Sequence, residues 1–152
     1  MNTEPGTYAL ILLSSSNEII SVGKLVNLKL QGGYYVYVGS ALGAGGLKAR
    51  IKYHTRLSTK PHWHIDYLKP FVEIKRIWYS YDTHRNEHNW ASVLIEFPES
   101  TVSLDGFGAS DCKCKSHLFY FIKKPSLMRF HSFLIETFPD HKPIQSINCR
   151  LL

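Results

Sequence analysis

Two tyrosines, an arginine and a histidine carry the chemistry that is easiest to read in this chain. Gly6-Thr7-Tyr8 opens one apolar run, and Tyr37-Val38-Gly39 closes a second. Arg50 and His54 follow within the segment Leu47 to His54, one helical turn apart. A tyrosine hydroxyl handles a proton, and a guanidinium holds a phosphate in a planar fork of donors. A glycine at a strand end lets backbone come close. Together these residue types suit the cutting of a phosphodiester bond.

The elements that must position them follow from periodicity. Tyr8 to Leu13 reads as a buried strand, and Glu18 to Val22 and Lys24 to Leu30 alternate on either side of Gly23. Gln31-Gly32-Gly33 signals a turn, and Tyr35 to Val38 is the next strand. Gly45 and Gly46 release the chain into a basic helix. His62 to Leu68 reads either as a strand or as a loop entering a short helix. Val72 to Trp78 alternates, with Val72, Ile74 and Trp78 on one face. Asn86 to Phe97 is helical and Pro98 stops it, Leu118 to Ile122 is a short apolar strand, and Pro125 opens a last helix along Leu127, Phe130 and Leu134. The expectation is one α/β domain of the α+β kind over residues 1–152. A small mixed, mainly antiparallel sheet is flanked by helices, with two inserted strands between Tyr8 and Tyr37.

Composition narrows the partners. A length of 152 residues is one domain, and 44% hydrophobic residues suffice for a core. Net charge +6 suits an anionic partner. The run Tyr8 to Leu13 is too short to span a bilayer and no basic segment precedes it, so neither a membrane nor a targeting segment is expected. Three cysteines, two of them at 112 and 114, do not read as a disulfide framework, and a reducing cytoplasm is expected.

The order of motifs resembles the GIY-YIG nuclease superfamily, with Gly-Thr-Tyr and Tyr-Val-Gly as its two tripeptides. It is most similar to the Uri-type branch, through Tyr37 to Ala41, Arg50 with His54, His62 to Leu68 and Gly106 to Phe119. Tyr8 and Tyr37 stand farther apart than in most of that superfamily, owing to the insertion. The resemblance implies a metal-dependent endonuclease acting on DNA, whether duplex, branched or damaged, with RNA as an open alternative. A repair setting is implied only by association, since relatives in this branch are sometimes fused to a base-excision glycosylase. The alternative function is a nucleic-acid-binding module that keeps the scaffold and cuts nothing.

In the roles the resemblance implies, Tyr8 activates water, Tyr37 orients it, and Arg50 contacts the scissile phosphate with His54 beside it. An ordinary tyrosine is protonated at neutral pH, so Tyr8 acts as a base only if a cation lowers its pKa. One magnesium or manganese ion is implied, held by a glutamate on the helix after the third strand. Glu87 falls inside the apolar arc of Trp90, Ala91 and Leu94 on an ideal helix, whereas Glu96 falls at or beyond its edge. A carboxylate on a packed face costs free energy unless paired or metal-bound, which favours Glu87 and leaves Glu96 as the alternative.

Lys48, Lys52 and Arg56 recur every four residues as a basic stripe, read as contacts to backbone phosphates or as a solvated face. His62, His64 and Asp66 would share one face of a strand and could hold a metal there. On a helix they would splay, and structural support by Trp63 and Tyr67 is the favoured reading. Gly39 and the loop of Ser110, Asp111, Cys112, Cys114 and His117 are expected to line the cleft. Cys112, Cys114 and His117 make three ligands where a closed zinc site wants four. Cys149 or another histidine could supply the last, but the spacing matches no standard module and zinc is not expected.

Overall fold

The computed structural model describes residues 1–57, 60–109 and 112–151. Strand β1 (Gly6–Ser14) is buried along almost its whole length, as an uninterrupted apolar run must be when both faces are covered. It pairs antiparallel with β4 (Gly33–Ala41) on one side and β5 (Glu73–Tyr81) on the other. β6 (Leu118–Phe121) extends the sheet beyond β4, and β7 (Gln145–Asn148) extends it beyond β5. The order is β6-β4-β1-β5-β7 and each pairing is antiparallel, so the fold is α+β with an antiparallel rather than mixed sheet.

The insertion is a separate two-stranded ribbon of β2 (Glu18–Ile20) and β3 (Leu28–Leu30). Its strands are shorter than the alternation implies because the chain turns at Gly23, where Leu25 N–H donates to the Val22 carbonyl at 2.9 Å. The ribbon covers one face of the sheet: Ile20, Val22, Leu28 and Leu30 pack against Tyr8, Leu10, Leu12, Tyr35 and Tyr37. Helices α1 (Gly46–His54) and α2 (His64–Leu68) complete that layer through Leu47, Ile51, Ile65 and Leu68. The opposite face carries Ala9, Ile11, Val36, Val38 and Trp78. It is covered by α3 (Glu87–Ile95) and α4 (Leu127–Thr137) through Trp90, Leu94, Phe130 and Leu134.

Trp78 therefore does not share a face with Val72 and Ile74, as simple alternation predicts. Ile11 pairs with Arg76 but Leu12 pairs with Ile74, leaving Lys75 as an extra residue in a β-bulge. The bulge shifts the parity of β5, so that Ile74, Ile77 and Tyr79 face the ribbon while Trp78 stacks on Phe130. β7 is an edge strand with no apolar alternation, and periodicity gives no sign of it.

Helix α1 starts where Gly45, at φ 83°, turns the chain. Its first amides do not face solvent. Leu47 N–H donates to the Glu4 carbonyl and Lys48 N–H to the Asn2 carbonyl, both at 3.0 Å. Orphan donors of the first turn are thus satisfied by backbone, and anion recognition on this helix falls to side chains.

Gly39 sits directly opposite Tyr8 in the β1–β4 register. A Cβ there would overlap the Tyr8 ring at Oη and Cζ. The tyrosine can lie flat across the neighbouring strand only because that strand has no side chain at this point. Gly39→Ala is expected to destabilise the fold by about 1–3 kcal/mol, the usual cost of overpacking. Gly43→Ala, where no atom lies within 4 Å of the added carbon, should change it by less than about 0.5 kcal/mol. Urea denaturation of both variants measures the contrast, and equal values would remove the packing argument.

Candidate active site

One cleft of about 230 Å³ opens over the ends of β1 and β4. Tyr8, Tyr37, Gly39 and Ser40 form its floor, Arg50 comes from α1, and His62, Trp63 and His64 come from the entry to α2. Arg85 and Glu87 enter from the start of α3, and Gly108 and His117 from the loop before β6. Segments far apart in sequence thus converge on one concave surface, where charged and aromatic groups meet.

The Tyr8 and Tyr37 rings lie on the same sheet face, with centroids 6.5 Å apart. Tyr8 Oη is hydrogen-bonded to His54 Nε2 at 2.7 Å, and this contact is buried. Burial pushes the Tyr8 hydroxyl up to about 12, and the nearby Arg50 charge offsets this only in part. Tyr37 is raised well above its ordinary value, chiefly by burial and then by Tyr8. The cation beside Tyr8 therefore does not make it a free base at neutral pH.

His54 lies behind Tyr8 rather than in the cleft, and is only 2% exposed. Burial, with Lys69 and Arg50 adding to it, lowers its pKa to about 3. The ring is neutral over the physiological range and carries one N–H. Its Nδ1 is buried without a hydrogen-bond partner, so the single polar contact of the ring is the one to Tyr8. A neutral imidazole held against a phenol fixes the phenol's position and, at this depth, resists taking up a proton.

Arg50 is fixed before any ligand arrives. Its Nη1 donates to the Ser40 carbonyl at 2.9 Å, and its guanidinium lies 4.5 Å from the Trp63 ring centroid. Glu87 stands in the first turn of α3 yet is 2% exposed. Arg85 donates to Glu87 Oε1 from Nε at 2.9 Å and from Nη2 at 2.6 Å. Glu87 Oε2 is buried with no hydrogen-bond partner. An unpaired carboxylate oxygen among cleft residues is the donor a hard divalent cation such as magnesium or manganese takes. Glu96 is exposed at the far end of α3, in the C-cap position, and does not reach the cleft. The helical arc puts it on the solvent side.

The remaining expectations divide. His62 and His64 line the cleft, but Asp66 does not. Because residues 64–68 are helical, the three side chains splay. Asp66 Oδ2 instead accepts from the amides of His62 and Trp63 at 2.8 and 3.0 Å and from Tyr53 Oη at 2.8 Å, while Lys69 Nζ lies 3.2 Å from Oδ1. Burial works to raise the Asp66 carboxyl, but these partners outweigh it and hold it below the usual carboxylate range. Asp66 is the buried anchor of the turn that carries Trp63. His64 Nδ1 accepts from the Gly108 amide at 2.8 Å, which ties α2 to the loop.

Cys112 and Cys114 do not line the cleft, whereas His117 of the same loop does. Ser110 and Asp111 lie outside the described residues. Lys48, Lys52 and Arg56 are exposed along α1 and just beyond its end, outside the cleft. Arg85, Ser40 and Trp63 belong to the site and were not singled out from the sequence as its chemical groups. The Glu87 carboxylate two residues away was the one available hint of Arg85.

The fold and the cleft define an α+β domain with a polar site at the strand ends of an antiparallel sheet. Residues 7–139 match the domain of unknown function DUF123, and the chain belongs to that family. Neither the curated proteins nor the solved structures give a match. Among the described residues no helix is long and apolar enough to cross a membrane.

The neutral His54 sets a dependence of stability on pH. Its pKa is about 3 in the fold and about 6.5 in the unfolded chain. Between these values the unfolded chain holds a proton that the fold excludes, so stability is lost as pH falls below about 6.5. His54→Gln removes this contribution while leaving a polar group for Tyr8. The stability difference between wild type and His54→Gln should shrink by about 2 kcal/mol from pH 7 to pH 5, at about 1.4 kcal/mol per unit. Denaturant titrations at the two pH values measure it, and a difference that does not move with pH contradicts a buried neutral ring.

Proposed function

We propose that this chain is a metal-dependent endonuclease of the GIY-YIG type, Uri branch, that hydrolyses phosphodiester bonds in DNA. The observation that carries this reading is the buried Tyr8–His54 hydrogen bond beneath a cleft that also holds Arg50 and the unpaired Glu87 Oε2.

Arg50 binds the non-bridging oxygens of the scissile phosphate. Its fork is already oriented by Ser40 and Trp63, so little reorganisation opposes the charge that develops in the transition state. Tyr8 Oη takes a proton from the attacking water, which requires that the cations of the cleft lower its pKa, and the neutral His54 holds the phenol in place from behind. Tyr37 Oη helps orient the water. A magnesium or manganese ion held by Glu87 would supply Lewis-acid polarisation of the phosphate and offset charge on the leaving oxygen. The exposed Lys48, Lys52 and Arg56 extend the cationic surface along the helix that carries Arg50, and contact flanking phosphates.

Two measurements test the reading. Arg50→Ala and Glu87→Gln should each slow nicking of supercoiled or branched DNA by about a hundredfold or more, as removal of a preorganised charge contact does, with circular dichroism unchanged. Tyr8→Phe should lower the rate without weakening metal binding. Variants that cut as fast as an active wild type would place the site elsewhere. DNA binding that survives EDTA, with no nicking in any divalent metal, would instead identify a binding module.

Affinity for duplex DNA should also fall steeply with salt, since bound phosphates release counterions. A Lys48→Ala, Lys52→Ala double variant should lower the magnitude of the log–log salt slope by about two, roughly one per lost contact. An unchanged slope would remove these lysines from the interface.

A further inference from the structure

The structure supplies the fourth ligand that the Cys-x-Cys-x-x-His spacing lacked. His88, in the first turn of α3, faces the loop before β6. Its Nδ1 lies 3.2 Å from Cys114 Sγ, and Cys112 Sγ lies 3.4 Å from His117 Nε2. One ligand atom from each of His88, Cys112, Cys114 and His117 fits within 4.8 Å of every other. We propose that these four side chains form a closed tetrahedral zinc site, distinct from the Glu87 site.

The chemistry of the donors selects the metal. Two thiolates and two neutral imidazoles balance a dication and are soft enough to favour zinc over magnesium or manganese. Bonds of about 2.0–2.3 Å in a tetrahedron put ligand atoms about 3.3–3.8 Å apart, and the two closest pairs here already approach that spacing. The cysteines are free thiols, half-buried and not joined to each other. Four protein ligands leave no open position, which is the mark of a structural site rather than a catalytic one.

The location gives the metal a task. The loop is held at one end by His117, whose N–H donates to the Phe107 carbonyl at 2.8 Å and whose carbonyl accepts from Val38 N–H at 2.9 Å. Cys112 and Cys114 lie between Phe107 and His117, outside any strand. A zinc ion would tie this loop to the start of α3, next to Glu87. The other nitrogen of His88, Nε2, lies 3.8 Å from Glu87 Oε1. His117 also lines the cleft. The metal would thus fix two walls of the cleft relative to each other.

This inference does not depend on the nuclease reading, because metal content is measured without any substrate. The full chain, purified and incubated with zinc chloride and then desalted, should retain one zinc per chain by plasma mass spectrometry. Replacement with cobalt(II) should give the visible spectrum of a tetrahedral site with thiolate charge transfer. The Cys112→Ser, Cys114→Ser double variant should lose both signals, and His88→Asn should weaken retention at least tenfold. His88→Cys should keep a tetrahedral spectrum with stronger thiolate character. A wild type that retains no zinc, a cobalt spectrum without thiolate bands, or equal retention in the double variant would each overturn the proposal. The wild-type cobalt spectrum decides even if a variant fails to fold.

Discussion

A buried phenol needs a partner, and that need organises this domain. Tyr8 is fully enclosed, and its hydroxyl cannot be left unpaired without a penalty of about 1–3 kcal/mol. Its partner, His54, must then be neutral, because a charged ring at that depth would cost more. The burial that keeps it neutral comes with α1 packing on the sheet through Leu47 and Ile51, and the Tyr8 ring must cross a neighbouring strand that bears no side chain. Gly39 meets the last condition. The glycine of the second tripeptide and the tyrosine of the first are thus two halves of one packing contact.

Charge is arranged around this pair with similar economy. Arg50 is held by a carbonyl and an aromatic face, neither of which neutralises it. Glu87 is half-satisfied, with one oxygen taken by Arg85 and the other left open. Asp66 and Lys69 pair deep beneath Trp63 and take no part in the cleft. Asp66 has one oxygen filled by hydrogen bonds and the other faced by the Lys69 ammonium, whereas Glu87 leaves one oxygen unpaired beside the cleft, and that second arrangement offers a position to a cation.

Much of this was legible in the sequence, for identifiable reasons. β1 and β4 were readable because they are long and apolar, and Glu87 because a carboxylate within the arc of Trp90 and Leu94 conflicts with burial unless something compensates. The role of Asp66 was not readable, since alternation of His62, His64 and Asp66 fits a strand as well as it fits the helix that forms. His88 gave no signal at all. A half-exposed histidine at a helix start has no periodic meaning, and its nearness to Cys114 exists only once α3 packs across the sheet. β7 was invisible because an edge strand gains its stability from main-chain pairing with β5 rather than from buried side chains.

The bulge at Lys75 makes the number of residues in β5 matter as much as their kind. Leu10 meets Ile77 and Tyr8 meets Tyr79 only because one residue of β5 goes uncounted in the pairing. Lys75 itself is partly exposed, so many side chains would fit there. Its removal would leave Ile74 and Arg76 adjacent opposite Leu12 and Ile11, so the strand would alternate regularly and Leu10 would still meet Ile77. A further residue inserted beside it is another matter. The strand would need a second uncounted position, or its C-terminal half would shift by one and turn Trp78 toward the tyrosines and Ile77 toward α4. That shift would disturb the two cores at once. Variation in this strand is therefore freer to lose position 75 than to gain a neighbour there, and the spacing of the site is written into chain length as well as into residue type.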